Sequence, residues 1–106
     1  MKIFIFFLII LSAACQTARN EAEFDNSARI VAVGGSVTET IYALGEESKL
    51  VGTDTSSVFP EAATRLPQVG YQRQLSGEGV LSLRPTLVLA TAEAGPPAAI
   101  QQIEAA

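Results

Sequence analysis

The chain has 106 residues and a net charge of −4 at neutral pH, so it has room for one domain at most. The acidic balance argues against a partner bound through a phosphate backbone, and we expect no binding of nucleic acid. Because the sequence contains no histidine and a single cysteine, it excludes a Ser-His-Asp or Cys-His catalytic site and an internal disulfide within this chain.

The chain opens with MKIFIFFLIILSAAC, which has the form of a secretory signal. A lysine precedes an apolar run that is too short for a permanent membrane-spanning helix, and small residues follow it. Small residues that end on Cys15 resemble a bacterial lipobox. We therefore predict a signal peptide at residues 1–14 and lipidation of Cys15. The alternative is an ordinary signal cut near Ala14, with the cysteine incidental.

The segment that follows the signal is polar and poor in apolar residues. This composition predicts a disordered tether over residues 15–28. If Cys15 is lipidated, the tether holds the folded part, residues 29–106, off the membrane.

The folded part begins with a strand, a glycine turn and a helix. Arg29–Val33 is apolar and rich in β-branched residues, which indicates a buried strand of a parallel sheet. After Gly-Gly, Ser36 and Glu39 have the spacing of a capping box at a helix start. Such a turn also presents N–H groups of the kind that bind anions. The full G-x-G-x-x-G pattern of a dinucleotide site is missing.

The first helix is predicted to run to about Leu44, with Gly45 as its C-terminal stop. Val37, Ile41 and Leu44 fall on one stripe of this helix. We expect that stripe to be buried against the first strand and the strand at Leu87–Ala90.

Further strands follow in a pattern typical of an α/β fold. Lys49–Thr53 reads as a second strand, which implies a right-handed parallel βαβ unit. Leu87–Ala90 reads as a third, and Ala98–Ala106 begins another helix. The sequence therefore predicts a Rossmann-like parallel sheet with flanking helices, and the last helix stops in mid-pattern, as expected of a fragment.

The stretch PQVGYQRQLSGEGVLSLRP, residues 67–85, carries the candidate site. Tyr71 lies in a segment punctuated by Gly and Pro, so we expect it at a loop tip. It is either a half-buried aromatic at the loop edge or a phenolate ligand of ferric iron. A free phenol has a pKa near 10, and both Fe(III) and a nearby guanidinium favour its charged form. Tyrosinate ligation of heme iron is known in proteins.

Two charged residues follow this tyrosine in the sequence. Arg73 is either a solvated surface charge or a partner for a carboxylate such as a heme propionate. Ser76 is a plausible N-cap, which places Glu78 in the first turn of a short helix. Glu78 is then either a partner of the helix dipole or an exposed acid for docking.

The segment from Arg29 to Ala106 resembles the N-terminal lobe of the heme-binding proteins of bacterial ABC heme importers. These belong to the helical-backbone class of periplasmic binding proteins, together with vitamin B12 and siderophore binders. The resemblance rests on GGSVTE at 34–39, VGYQRQLSGEGVLSLRP at 69–85 and AGPP at 94–97. The GYQRQ motif is the part that favours heme over cobalamin.

The resemblance implies a role for each residue of the candidate site. Tyr71 would ligate heme iron, Arg73 would lie near a propionate, and Glu78 would pair with permease arginines. The protein would capture heme in the periplasm as a lipid-anchored component and deliver it to an ABC permease and its ATPase subunits.

Family members have two lobes, and this chain has most of one only. Alternatives are a binder of cobalamin or a ferric siderophore, and a small interaction lipoprotein outside transport. We expect no enzyme activity, since paired carboxylates and a phosphate loop are missing as well as histidine.

Overall fold

The computed structural model describes residues 27–106. The predictions for the signal peptide at residues 1–14, for Cys15 and for most of the tether lie outside that part of the chain. Within residues 27–106, no helix is both long and apolar enough to cross a membrane. The elements in chain order are β1 (Ile30–Val33), α1 (Gly35–Ala43), a 3₁₀ turn (Glu47–Lys49), β2 (Leu50–Thr53), a second 3₁₀ turn (Glu61–Arg65), β3 (Gly70–Tyr71), β4 (Gln74–Leu75), α2 (Gly77–Ser82), β5 (Leu87–Ala90) and α3 (Pro97–Glu104).

Three strands form one parallel sheet in the order β2-β1-β5. The central strand β1 is buried along its whole length, because it has a neighbour on each side and helices on both faces. The sheet is extended beyond β2 by a parallel bridge between Thr53 and Gln68. The predicted strands and the parallel βαβ connection are confirmed.

Alternate residues of β1 point to opposite faces of the sheet and form two separate cores. Val31 and Val33 pack with Val80 of α2 and Ala99 of α3 on one face. Ile30 and Ala32 pack with Ile41 of α1 and Leu50 of β2 on the other. The architecture is therefore an α/β sheet flanked by helices on both sides, as predicted.

The predicted capping box at the start of α1 is wrong. The N-cap is Gly34, and no side chain caps the helix. Gly34 has φ of 106°, a conformation open to glycine and strained for other residues. It turns the chain into the helix earlier than predicted, so Ser36 lies inside the first turn instead of at the cap. Glu39 is exposed.

The C-terminal stop of α1 is confirmed. Gly45 has φ of 71°, and its N–H donates to the carbonyl of Tyr42 at 3.0 Å. The N–H of Glu46 donates to the carbonyl of Ile41 at 3.1 Å. These two bonds are those of a Schellman motif.

The predicted buried stripe of α1 is correct at Ile41, which is 5% exposed. It is wrong at Leu44, which is 70% exposed. Leu44 follows the last helical residue and borders an open groove between α1 and β5, with Leu89 on the other side. Ile41 packs against β1 and β2 instead of β5, and Thr38 takes the further buried position on the helix.

Candidate functional site

Several loops meet at the carboxyl ends of the parallel strands. They are the Gly34-Gly35 turn after β1, the segment from Asp54 after β2, and the segment from Thr91 after β5. In open α/β sheets, ligands bind in the crevice outside this edge. The candidate residues at 71 and 73 lie on a hairpin that is bonded to two of these loops.

Tyr71 lies in a short strand and not at the tip of a loop. Strands β3 and β4 are antiparallel, with Gly70 opposite Leu75 and Tyr71 opposite Gln74. Gln72 and Arg73, between the strands, form the turn, so Arg73 is at the tip of the hairpin, Tyr71 directly precedes the turn, and Gly70 is at the base. The loop-tip prediction is therefore correct for Arg73, and it is wrong for Tyr71, which lies in the strand next to the turn.

Neighbouring side chains of this hairpin differ in exposure. Tyr71 is 43% exposed and Arg73 is exposed, whereas Gln72 between them is partly buried. The hydroxyl of Thr91 donates to Oε1 of Gln72 at 3.2 Å. Tyr71 and Arg73, the two predicted ligand residues, therefore remain open to solvent, while Gln72 between them contacts the loop after β5.

Main-chain hydrogen bonds attach the hairpin on both sides. The N–H of Gly95 donates to the carbonyl of Gln72 at 2.9 Å, and the N–H of Leu75 donates to the carbonyl of Gly95 at 2.8 Å. On the other side, the N–H of Thr55 donates to the carbonyl of Gly70 at 2.9 Å. These bonds join the loops after β2 and β5 to the hairpin.

A buried carboxylate, which the sequence reasoning missed, organises the loops next to the hairpin. Asp54 is fully buried and accepts four hydrogen bonds. Its Oδ1 accepts from the N–H of Gly34 at 2.8 Å and from the hydroxyl of Ser57 at 2.8 Å. Its Oδ2 accepts from the N–H and the hydroxyl of Ser56 at 3.0 and 2.6 Å.

Burial acts to raise the pKa of Asp54, but the hydrogen bonds from Ser56, Gly34 and Ser57 outweigh it, and the pKa is lowered from its ordinary value. The carboxylate is therefore ionised at neutral pH. It binds the N–H of the Gly34 turn, where the sequence indicated an anion. The anion at this turn is a side chain of the protein itself.

The loop after β2 also presents an apolar surface. Val58 and Phe59 are 66% and 65% exposed, although both are large hydrophobic residues. They follow the buried Ser57, whose hydroxyl also pairs with that of Thr38 at 2.7 Å. The buried hydroxyls thus fix the loop at the point where it turns two apolar side chains outward.

The predicted cap of the next helix is confirmed. The hydroxyl of Ser76 accepts a hydrogen bond from the N–H of Gly79 at 2.9 Å. Glu78 lies in the first turn of α2 and is exposed. Its carboxylate is open to solvent, as both sequence interpretations of this residue require.

Comparison with known proteins shows which proteins contain a similar lobe. The family model of the periplasmic binding proteins matches residues 30–106. The vitamin B12-binding protein of Vibrio vulnificus strain YJ016 is 29% identical over 98% of this chain and 36% of its own length.

Two solved structures are informative. A periplasmic heme-binding protein from Pseudomonas aeruginosa is 56% identical, with a TM-score of 0.71, over 73% of this chain and 28% of its own. The periplasmic vitamin B12-binding protein BtuF of Vibrio cholerae is 30% identical, with a TM-score of 0.66, over 73% of this chain and 30% of its own. The chain therefore spans about a third of the length of these relatives or less.

Proposed function

The chain belongs to the family of periplasmic binding proteins, and from that membership we propose that it is the N-terminal lobe of a protein that captures heme for an ABC importer. The observation that carries the choice of ligand is the difference in identity over the same lobe. It is 56% to a heme-binding protein and 30% to a B12-binding protein.

Tyr71 is the proposed ligand of ferric heme iron. It is partly exposed at the edge of the sheet where this fold class binds ligands. Among residues 27–106, no group of three histidine, cysteine, aspartate or glutamate side chains is placed to hold a metal. A phenolate oxygen is a hard anionic ligand suited to Fe(III), and it is an established axial ligand of heme.

Arg73 is the proposed partner of a heme propionate. It lies two residues from Tyr71, on the exposed side of the same hairpin. A guanidinium forms a charge-assisted hydrogen bond with a carboxylate, worth about 1.5–3 kcal/mol. The hairpin would therefore supply one contact to the metal and one to the rim of the macrocycle.

The exposed pair Val58 and Phe59 supports a large, flat and mainly apolar ligand. Exposed apolar residues placed together commonly mark a binding surface, and this pair lies on the loop that is bonded to the base of the hairpin through Thr55. Burying part of these side chains under a porphyrin contributes about 25 cal/mol for each Å² removed from water.

Capture and delivery leave the covalent structure of the ligand unchanged, so the proposed protein is a carrier and not an enzyme. Glu78, exposed in the first turn of α2, is the proposed docking residue for the arginines of a permease. Lipidation of Cys15 is the proposed membrane anchor on the periplasmic side, with ATP hydrolysed by other subunits.

The test of the ligand is a paired titration of the full-length two-lobed protein with ferric heme and with cobalamin. The proposal predicts a shifted Soret band that saturates at stoichiometric heme, and much weaker binding of cobalamin. Preferential binding of cobalamin would contradict it and favour the B12-binding relatives as the guide to function.

A further inference from the structure

The turn of the β3–β4 hairpin has an unusual backbone conformation for its length. Two-residue hairpins favour turn types with positive φ at the first central residue. Among residues 27–106, Arg84 is the only non-glycine residue with positive φ, so neither Gln72 nor Arg73 has it. With only two paired positions per strand, the hairpin is also too short to hold itself in place.

Bonds at Gly70 and Leu75 attach the two strands of the hairpin, and two further bonds attach its turn through Gln72. Its carbonyl accepts from the N–H of Gly95, and its side-chain Oε1 accepts from the hydroxyl of Thr91. Thr91 is itself fixed, because its N–H donates to the carbonyl of Val33 at 3.1 Å. The hairpin is therefore attached through one side chain to the carboxyl end of the central strand.

The glycine turn after β1 makes room for this attachment. A Cβ added at Gly34 would lie 2.6 Å from Cγ2 of Thr91 and 3.3 Å from Oε1 of Gln72. Both distances are shorter than ordinary contacts between such atoms. Gly34 thus lets the Thr91–Gln72 pair pack directly against the backbone of the turn.

We propose that Thr91 and Gln72 are positioning residues, which hold the hairpin so that Tyr71 presents its oxygen to heme iron in one geometry. This inference rests on the proposed role of Tyr71 as the iron ligand. Neither residue touches the ligand in this account. Their hydrogen bond fixes Gln72, the residue next to Tyr71. It thereby removes conformational freedom of the hairpin that heme binding would otherwise have to remove.

The test uses the full-length protein loaded with ferric heme, with Thr91→Val and Gln72→Met as variants. Both keep the approximate shape of the side chain and remove the hydrogen bond. We expect heme transfer to an apo-heme acceptor to become about 2- to 10-fold faster, the range that one neutral hydrogen bond produces. The tyrosinate charge-transfer band should shift or broaden, because more than one iron–oxygen geometry is then populated.

Two controls separate positioning from general stability. Thr91→Ser keeps the hydroxyl and should restore the wild-type rate and band. Thr86→Val removes a comparable hydroxyl at the opposite end of β5, where Thr86 accepts from the N–H of Arg29 at 2.9 Å. It should leave both readouts unchanged. The double variant at positions 72 and 91 should be no worse than the more severe single one, because one bond is lost in every case.

Failure of the positioning role and failure of Tyr71 as the iron ligand give different results. If Tyr71→Phe abolishes the band while Thr91→Val and Gln72→Met leave the rate and band unaltered, the positioning role is wrong and the iron ligand stands. An equal effect of Thr86→Val would also overturn it. If Tyr71→Phe keeps the band, the iron ligand is wrong and the inference falls with it. Should Thr91→Val fail to fold, Gln72→Met decides the matter alone.

Discussion

Replacing Asp54 with asparagine should destabilise the lobe in a pH-dependent way. The carboxylate accepts two hydrogen bonds on each oxygen, whereas an amide has one acceptor oxygen and one donor nitrogen. The serine hydroxyls can rotate to accept from the amide, but the N–H of Gly34 and the N–H of Ser56 cannot. One of the two therefore loses its partner, together with the charge. A hydrogen bond to a charged group contributes about 1.5–3 kcal/mol, and we expect a loss of that size at pH 7.

The pH dependence follows from the lowered pKa of Asp54. A depressed pKa stabilises the fold fully above the pKa of the unfolded chain, about 3.9 for aspartate. That contribution is lost as pH falls through the folded value. The free energies of unfolding of wild type and Asp54→Asn, measured with denaturant, should therefore differ by a constant amount from pH 7 to about 5. The difference should become smaller at lower pH. The control is Glu61→Gln, at an exposed ion pair with Arg65, which should change stability by less than about 1 kcal/mol. Equal stability of Asp54→Asn and wild type at pH 7, or a difference that persists undiminished to pH 2, would refute this reasoning.

Three further predictions concern the frame, the docking surface and the anchor. Ile41→Asp buries an unpaired charge and should cost several kcal/mol, enough to abolish the native circular dichroism of the lobe. Leu44→Asp, at the residue that follows the same helix, should be tolerated because Leu44 is exposed. Equal damage from both would mean that the buried face is misassigned. Glu78→Ala in the full-length protein should reduce transport and leave heme binding intact, since the helix-dipole contribution lost is only about 0.3–1 kcal/mol; loss of binding as well would give Glu78 a role in the site or the fold. Cys15→Ser should release the mature protein from membranes and block lipid labelling, and unchanged fractionation would contradict the anchor.

The parts of the fold that the sequence predicted depend on local pattern. The β-branched run at β1 and the glycine after α1 specify a strand and a helix end through their own backbone preferences. Leu44 lies on the same angular stripe as Ile41, yet it follows the last helical residue and borders an open groove. Periodicity predicts a direction from the helix axis, and it does not predict whether a partner element covers that position.

The site was harder to predict because its geometry comes from contacts between distant residues. Strands of two residues have no measurable periodicity, and the turn between them is held by Gly95 and Thr91, about twenty positions along the chain. Asp54 was missed for a different reason. An aspartate followed closely by two serines is a signal for a side-chain turn, but its bond to Gly34 depends on the parallel pairing of β1 and β2.

The proposed function depends most on Tyr71, whose phenolate oxygen is proposed to bind the iron of ferric heme. The most direct test is a ferric heme titration of the full-length wild-type and Tyr71→Phe proteins, followed through the Soret and charge-transfer bands. Phenylalanine keeps the ring and removes the oxygen, and Tyr71 is partly exposed, so stability should change by less than about 1 kcal/mol. The variant should bind heme more weakly and lack the tyrosinate charge-transfer band that the wild type shows. An unaltered spectrum in Tyr71→Phe would rule out Tyr71 as the iron ligand and leave cobalamin or a ferric siderophore as the better candidate ligand.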